Sequence, residues 1–435
     1  MLVLAAVVTG AAYTLASLGT TASVPADVGP LFGVILALFL GAHLAVRRLA
    51  PEADGMLLPL AAMLNGIGYV FIARLNPALA DNQATWTAVG IVAFVSTLTV
   101  VRRARDLERY RYTFLLIGLA LLVSPLIPGI GRDIRGAKIW VAVGQISFQP
   151  GEFAKIAFAL FFASYLVEKR ELLSMATWPR LRPVLPDLKH LAPVLVAWGL
   201  AIMVMTAQKD LGSSLLFFAL FMAMLWVATG RVAYPLGGAV MFGIAAYGAW
   251  TQFDHVQSRV TNWLNPWADP QAGGYQLIQG WYALAWGGIT GTGIGLGRPD
   301  KIAIVESDFI FAAIAEELGL LGGTAILMAY LLIVGAGLRV AQQADHPFEK
   351  LLAAGLTALI GIQAFVILAG VIRLLPLTGV VLPFVSYGGS ALVANYVLLA
   401  LLIRVSDQRP AQTRAGRRAA RRGSPESSAP AGATR

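Results

Sequence analysis

The chain of 435 residues contains no cysteine, which removes disulfides, thiolate metal sites and a cysteine nucleophile from consideration. Charge is scarce as well. Asp, Glu, Lys and Arg together make up 13% of the residues, against roughly a quarter in soluble domains. There are four histidines, at positions 43, 190, 255 and 346, without HxxxH or HExxH spacing, so none is assigned as a metal ligand. What is abundant is apolar: 57% of residues are hydrophobic and the mean hydropathy is +0.71. This composition belongs to a polytopic membrane protein, whose length does not convert into a domain count because lipid replaces much of the core.

The net charge of +10 invites a nucleic-acid partner, but its location argues for none. Arg414, Arg417, Arg418, Arg421 and Arg422 lie beyond the last apolar run, in a tail rich in Pro, Ser, Ala and Gly. Such a tail is too polar to fold alone and suits anionic lipid headgroups.

A span needs about 20 apolar residues. Twelve runs qualify as candidates, near 2–21, 30–47, 56–74, 86–101, 112–127, 152–168, 190–207, 212–229, 232–250, 309–338, 351–371 and 385–404. The first begins at Met1 without a basic stretch and reads as a signal anchor rather than a cleaved signal. With the N-terminus placed inside, 23 of the 33 Lys and Arg residues fall in inner loops or the tail. The expected fold is therefore an all-α polytopic membrane protein with about 12 transmembrane helices and both termini cytoplasmic. A large extracytoplasmic loop is expected at 251–308. Three parts are expected: N-terminal transmembrane helices at 1–127, a transmembrane core at 128–405, and a disordered basic tail at 406–435.

This topology gathers nearly every unusual polar cluster on the outer face. "QPGEFAK" (149–155) places Glu152 in the first turn of a helix, where the dipole favours an acid, and Lys155 on the same face three residues on. "QKDLGSS" (208–214) puts Lys209 and Asp210 in a short outer turn. The long loop offers Arg259, suited to a phosphate, and interfacial aromatics from Trp263 to Trp286. It also carries a glycine run (287–297) whose amides can cradle an anion or serve as a hinge. That run fails the GxGxxG pattern and lies outside, so a dinucleotide reading is rejected. In "ESDFIFAAIAEELG" (306–319), Asp308 precedes the apolar run and Ser307 is a candidate helix cap. A carboxylate desolvated at Asp308 is a candidate general base. Glu316 and Glu317 lie about 80° and 180° around the helix from it, so one of them is expected to pair internally.

These motifs, in this order, resemble the SEDS family (shape, elongation, division and sporulation), which includes RodA, FtsW and SpoVE. "FQPGEFAK" looks like FQPSE-x-x-K with Gly151 in place of Ser. "AQKDLGSS" is similar to Q-P-D-L-G with Lys209 in the Pro position, and "RVTNWLNPWADPQAGGYQ" resembles R-x-x-x-FL-P-x-x-D-x-x-G-x-x-Q, ending at Gln276. "GGITGTGIGLG", "ESDFIFAAIAEELGLLG" and "PLTGVVLPFVSYGGS" complete the set. The resemblance covers roughly 130–405, while residues 1–110 carry little of it. Many members place His before the Ser/Thr-Asp pair, where this chain has Val305-Glu306-Ser307, and Arg373 stands at a usual glycine position. The form is most similar to the RodA branch of actinobacteria.

The resemblance implies a ten-helix core and an inverting peptidoglycan glycosyltransferase that polymerises lipid II at the outer face of the bacterial plasma membrane. A class B penicillin-binding protein transpeptidase is the implied partner. Carried over, the essential Asp falls on Asp308, the Glu/Lys pair on Glu152 and Lys155, and the Asp of QPDLG on Asp210. Arg259, Lys209, Gln276 and Glu306 are expected to complete the substrate-binding set. Asp308 would deprotonate the acceptor GlcNAc 4-hydroxyl while Lys155 and Arg259 steady the departing diphosphate. No cofactor is assigned, and spacing leaves a divalent cation open. The competing classes are a lipid-linked precursor flippase or transporter and a non-catalytic scaffold of the wall machinery. The chain shows no internal repeat of the transporter kind, and its polar clusters gather on one face, which favours an enzyme.

Overall fold

Each of the twelve apolar runs is helical in the computed structural model, which describes residues 1–22, 28–134, 137–144, 146–174 and 188–407. Arg180, Arg182 and the tail arginines fall outside the described residues. In chain order the helices are α1 (Leu2–Thr21), α2 (Val28–Leu49), α3 (Leu57–Leu75), α4 (Pro77–Val100) and α5 (Arg111–Val123). There follow α6 (Pro150–Glu168), a short α7 (Arg170–Ser174), α8 (Leu188–Ala207), α9 (Leu211–Thr229) and α10 (Ala233–Gln252). The last five are α11 (Asp254–Leu264), α12 (Tyr275–Gly287), α13 (Ile310–Gln343), α14 (Pro347–Val371) and α15 (Gly389–Asp407). Pro77, Pro150 and Pro347 open their helices, where a missing N–H costs nothing and φ is already set.

Among the described residues, eight helices are long and apolar enough to cross a membrane: α1, α3, α4, α6, α9, α13, α14 and α15. The other helices on the twelve expected runs are α2, α5, α8 and α10. α5 has 13 residues, about 20 Å at 1.5 Å per residue, against a hydrocarbon core of about 30 Å. α10 is long enough but diluted by glycine, tyrosine and proline.

Two departures from an all-helical loop-and-span layout concern the connections. Strands β1 (Gly131–Ile134), β2 (Ala137–Val143) and β3 (Ile146–Phe148) form a small antiparallel sheet in the order β1-β2-β3. Within 251–308, α11 and α12 take 11 and 13 residues of the expected loop.

The helix ends sort into two sides. At one, the Glu52 amide donates to the Asp407 carboxylate at 2.9 Å, and Arg404 caps the carbonyls of Leu49 and Leu98. Met1 shares a cleft there with Arg47 and Asp54, so the chain's first helix starts where its last one ends. At the other side α6, α9, α13 and α15 begin and α14 ends, joined by the segment 372–388. The most enclosed spans are α15 and α6, with 89% and 83% of their apolar windows buried, whereas α1 is at 17%. The centre is packed with rings, including Phe158 edge-on to Phe217 at 5.3 Å. The polar motifs therefore sit at the mouth of the most enclosed part of the bundle.

Candidate active site

Pro150 opens α6 and leaves Glu152 in the first turn. Lys155 closes onto it, with Nζ 2.7 Å from Oε2 and both residues only 4% exposed. A solvated cap would not be enclosed to this degree. Burying two charges gains little stability even when they pair, so the placement points to function. Lys155 Nζ also donates to Gln363 Oε1 of α14 at 3.4 Å, and Gln363 Nε2 donates to the Val381 carbonyl at 2.8 Å. The motifs did not point to Gln363; its one signal was a lone amide side chain within the apolar run of α14.

The segment around Val381 is a hub. Gly212, in the first turn of α9, lies so close that a Cβ there would sit 2.4 Å from the Thr378 carbonyl oxygen and 2.6 Å from Val380. Only glycine permits that approach. Arg259 of α11 donates through Nη1 to the carbonyls of Leu377 and Thr378, both at 3.1 Å. Asp308 faces the same stretch, 377–380, and Val366, Ile367 and Gly370 of α14. The Gln149 amide donates to Ser390 Oγ at 2.9 Å, joining the start of α6 to that of α15. Three motifs far apart in sequence thus meet on one strap, 377–381, with the Glu152–Lys155 pair joined to it through Gln363.

Of the other expected site residues, Asp210 and Gln276 make side-chain contacts with the frame. Asp210 caps α9, its Oδ1 accepting from the Ser213 amide at 2.9 Å. Lys209 occupies a left-handed turn at φ 61° with an exposed side chain. Gln276 Nε2 donates to the Ala303 carbonyl at 2.6 Å and holds that turn. Ser307 does not cap α13, which begins two residues after Asp308. Its hydroxyl donates to Asp308 Oδ1 at 3.0 Å, because the chain from 304 to 308 turns too tightly to present it to the helix amides. The Glu306 carbonyl accepts from the Tyr387 amide at 2.9 Å, and Ser386 Oγ donates to the Ser307 carbonyl at 2.6 Å. Burial pushes the Tyr387 phenol above its ordinary value; a hydrogen bond with Asn82 opposes the shift and Glu306 adds to it. The approach to Asp308 is in this way stitched to the start of α15.

Glu316 and Glu317 explain the glycine run. α13 breaks at Gly319, where φ is 67° and ψ −167°, and a Cβ would lie 2.3 Å from the Gly291 nitrogen. The break frees backbone groups that 288–293 then satisfies. Thr292 and Gly293 amides donate to the carbonyls of Glu316 and Glu317, each at 3.0 Å, while Leu320 donates to the Gly288 carbonyl at 2.9 Å. The side chains follow suit. Glu317 Oε2 accepts from the Gly295 amide at 2.9 Å, and Glu316 Oε1 from the Arg298 amide at 2.7 Å. The run does cradle anions, but they are the chain's own carboxylates. Arg74 of α3 completes the knot, 2.6 Å from Glu317 Oε1 as an ion pair without an aligned hydrogen bond. Both acids pair internally, where one was expected to.

His255, one turn before Arg259, lies among the site cations. Its imidazole is held below the ordinary value of 6.5 by burial first, then by Arg259 and Lys209, with Asp254 opposing. Among the described residues no three His, Asp or Glu side chains group as a metal site.

Apolar helices around a buried ion pair, with sequence motifs converging on one strap at one end of the bundle, define a multi-pass integral membrane protein. The chain belongs to the cell cycle protein family of FtsW, RodA and SpoVE, whose profile matches residues 57–411. The match opens at residue 57, so α3 to α5 are part of the shared body, and ten of the twelve apolar-run helices lie within it. It is 44% identical over 429 residues to the peptidoglycan glycosyltransferase RodA of Mycobacterium tuberculosis, covering 95% of this chain and 91% of that protein. To a probable peptidoglycan glycosyltransferase FtsW of Geobacter metallireducens it is 35% identical, covering 78% and 85%. Among solved structures it resembles a chain of a peptidoglycan synthase complex that coordinates polymerization and crosslinking. The TM-score is 0.66 at 25% identity, covering 81% of this chain and 97% of that one. The rod shape determining protein RodA of Thermus thermophilus gives a TM-score of 0.57 at 25% identity, covering 82% and 97%.

Proposed function

We propose that this chain is an inverting peptidoglycan glycosyltransferase of the RodA kind, polymerising lipid II at the outer face of the bacterial plasma membrane. The observation that carries the mechanism is the convergence of Asp308, Arg259 and, through Gln363, Lys155 on the strap 377–381. An acid and two cations tied to one strap support a base and a pair of diphosphate clamps.

In this reading Asp308 takes the proton of the acceptor 4-hydroxyl as its oxygen bonds to the donor's anomeric carbon. The bond from that carbon to the lipid diphosphate breaks, and the leaving group departs with its electron pair. Lys155 meets the charge that grows on the diphosphate, and Glu152 holds Lys155 in place until then. Arg259 contributes a second cation near the strap. An apolar groove of about 560 Å³ runs between α4, α5, α6 and α15, and its lining includes Phe153, next to Glu152. It suits the polyprenyl tail of the substrate. A divalent cation is the alternative source of positive charge, and a chelator added to the assay reads it. The crosslinking partner in this account is a class B penicillin-binding protein transpeptidase.

Purified chain given lipid II should produce glycan polymer. Folded protein that makes none, while moving lipid II between leaflets of a vesicle, would favour the flippase. Folded protein that does neither but binds the transpeptidase would favour the scaffold.

A further inference from the structure

α14 ends in a turn in which the Leu374 amide donates to the Ala369 carbonyl at 2.7 Å and the Arg373 amide to the Gly370 carbonyl at 3.2 Å. This pair of bonds is the Schellman arrangement, whose left-handed position normally falls to glycine. Here Arg373 occupies it, at φ 65°. A side chain forced into that conformation calls for a compensating contact, and the guanidinium supplies several.

Arg373 Nε donates to the Trp263 carbonyl at 2.9 Å and Nη2 to the Leu264 carbonyl at 2.5 Å. These are the last two carbonyls of α11, which lack partners in their own helix and sit at its negative end. The same guanidinium stacks over the Trp281 ring of α12 at 5.1 Å. Two return bonds close the junction: Trp263 Nε1 donates to the Arg373 carbonyl at 3.0 Å, and Trp281 Nε1 to the Val371 carbonyl at 3.2 Å. One surface residue therefore ties the end of α14 to both α11 and α12.

The other attachment of α11 to this segment is Arg259, through the carbonyls of Leu377 and Thr378. If Arg259 turns to a diphosphate it gives those carbonyls up, and α11 then keeps its place through Arg373. We infer that Arg373 is a positioning residue that holds α11, and so Arg259, at the site while Arg259 exchanges backbone for substrate. This rests on the reading of Arg259 as a diphosphate clamp.

The test uses full-length purified protein and lipid II. Arg373→Gly is the informative variant, because glycine accepts the same turn and only the latch is removed. Its KM for lipid II should rise about tenfold, with kcat changed by less than about threefold. Amide hydrogen exchange should accelerate in 254–287 and stay unchanged in α14. Arg373→Lys keeps the charge but not the two-pronged grip, and should recover only part of each effect. Because Arg373 acts through Arg259, the double variant Arg259→Ala/Arg373→Gly should be no worse than Arg259→Ala alone. Unchanged exchange in 254–287, or effects of the two substitutions that simply multiply, would overturn the inference. Full activity of Arg259→Ala would instead remove Arg259 from the mechanism, leaving the exchange result to decide whether Arg373 holds α11.

Discussion

Replacing Glu317 with alanine should be among the most damaging single changes outside the reacting groups. Glu317 is 1% exposed, its carboxylate lies 2.6 Å from Arg74, and Arg74's own side chain is only 10% exposed. Removing the acid leaves that guanidinium enclosed with one remaining acceptor, the Gly297 carbonyl at 2.8 Å from Nη2. Breaking a buried pair in this way costs about 3–5 kcal/mol. The Gly295 amide also loses its acceptor, for about 1 kcal/mol or more. The consequence extends past stability, because the glycine run held at the break in α13 leads directly into 299–308. Unfolding of the purified protein in detergent, followed by heat or denaturant, measures the loss. A companion Glu317→Gln keeps an acceptor for Gly295 and isolates the charge, so it should fall between wild type and Glu317→Ala. Arg74→Ala/Glu317→Ala should be less destabilised than the sum of the two single changes, with a coupling of at least about 2 kcal/mol. A Glu317→Ala protein within about 0.5 kcal/mol of wild type, or strictly additive single effects, would refute the reasoning.

Two further outcomes follow from the strap and its surroundings. Gly212→Ala should lower polymerisation by tenfold or more, on the order of 1.4 kcal/mol in the barrier, because its Cβ meets the Thr378 carbonyl and displaces 377–380; wild-type turnover in this variant would contradict the packing. His255 is held below 6.5 in the fold, so the unfolded chain takes up the proton first as pH falls. The stability its neutral form contributes is present above pH 6.5 and is lost as pH falls through the lowered folded value. His255→Gln should flatten the melting temperature across that window, and an unchanged acid slope would show that other groups set it.

Much of the frame was legible from hydropathy, since a run of apolar residues has few alternatives to a helix in lipid. Pro150 and Glu152 announced the start of α6 by the ordinary rules of helix ends, and Lys155 three residues on announced the pair. Span count was less legible, because whether α5 and α10 reach across depends on helix length and on diluting residues that a run of letters does not weigh. The strap 377–381 was legible only as a motif. Its role as a hub arises from carbonyls, and backbone acceptors leave no mark in composition. For the same reason Arg259 read as a phosphate ligand, although here it grips Leu377 and Thr378, and the glycine run read as an anion cradle without revealing that Glu316 and Glu317 fill it. Gln363 and Arg74 were hidden differently: each is a polar residue in a largely apolar helix, with a partner more than 200 positions away.

The central claim is that Asp308 is the base. Asp308→Asn keeps the size and hydrogen-bonding capacity of the side chain, including an acceptor for Ser307, while removing its basicity. Purified Asp308→Asn protein should bind lipid II with near wild-type affinity and show no detectable polymer, a loss of at least about 10²-fold to 10⁴-fold. Polymerisation at the wild-type rate by this variant would contradict the account.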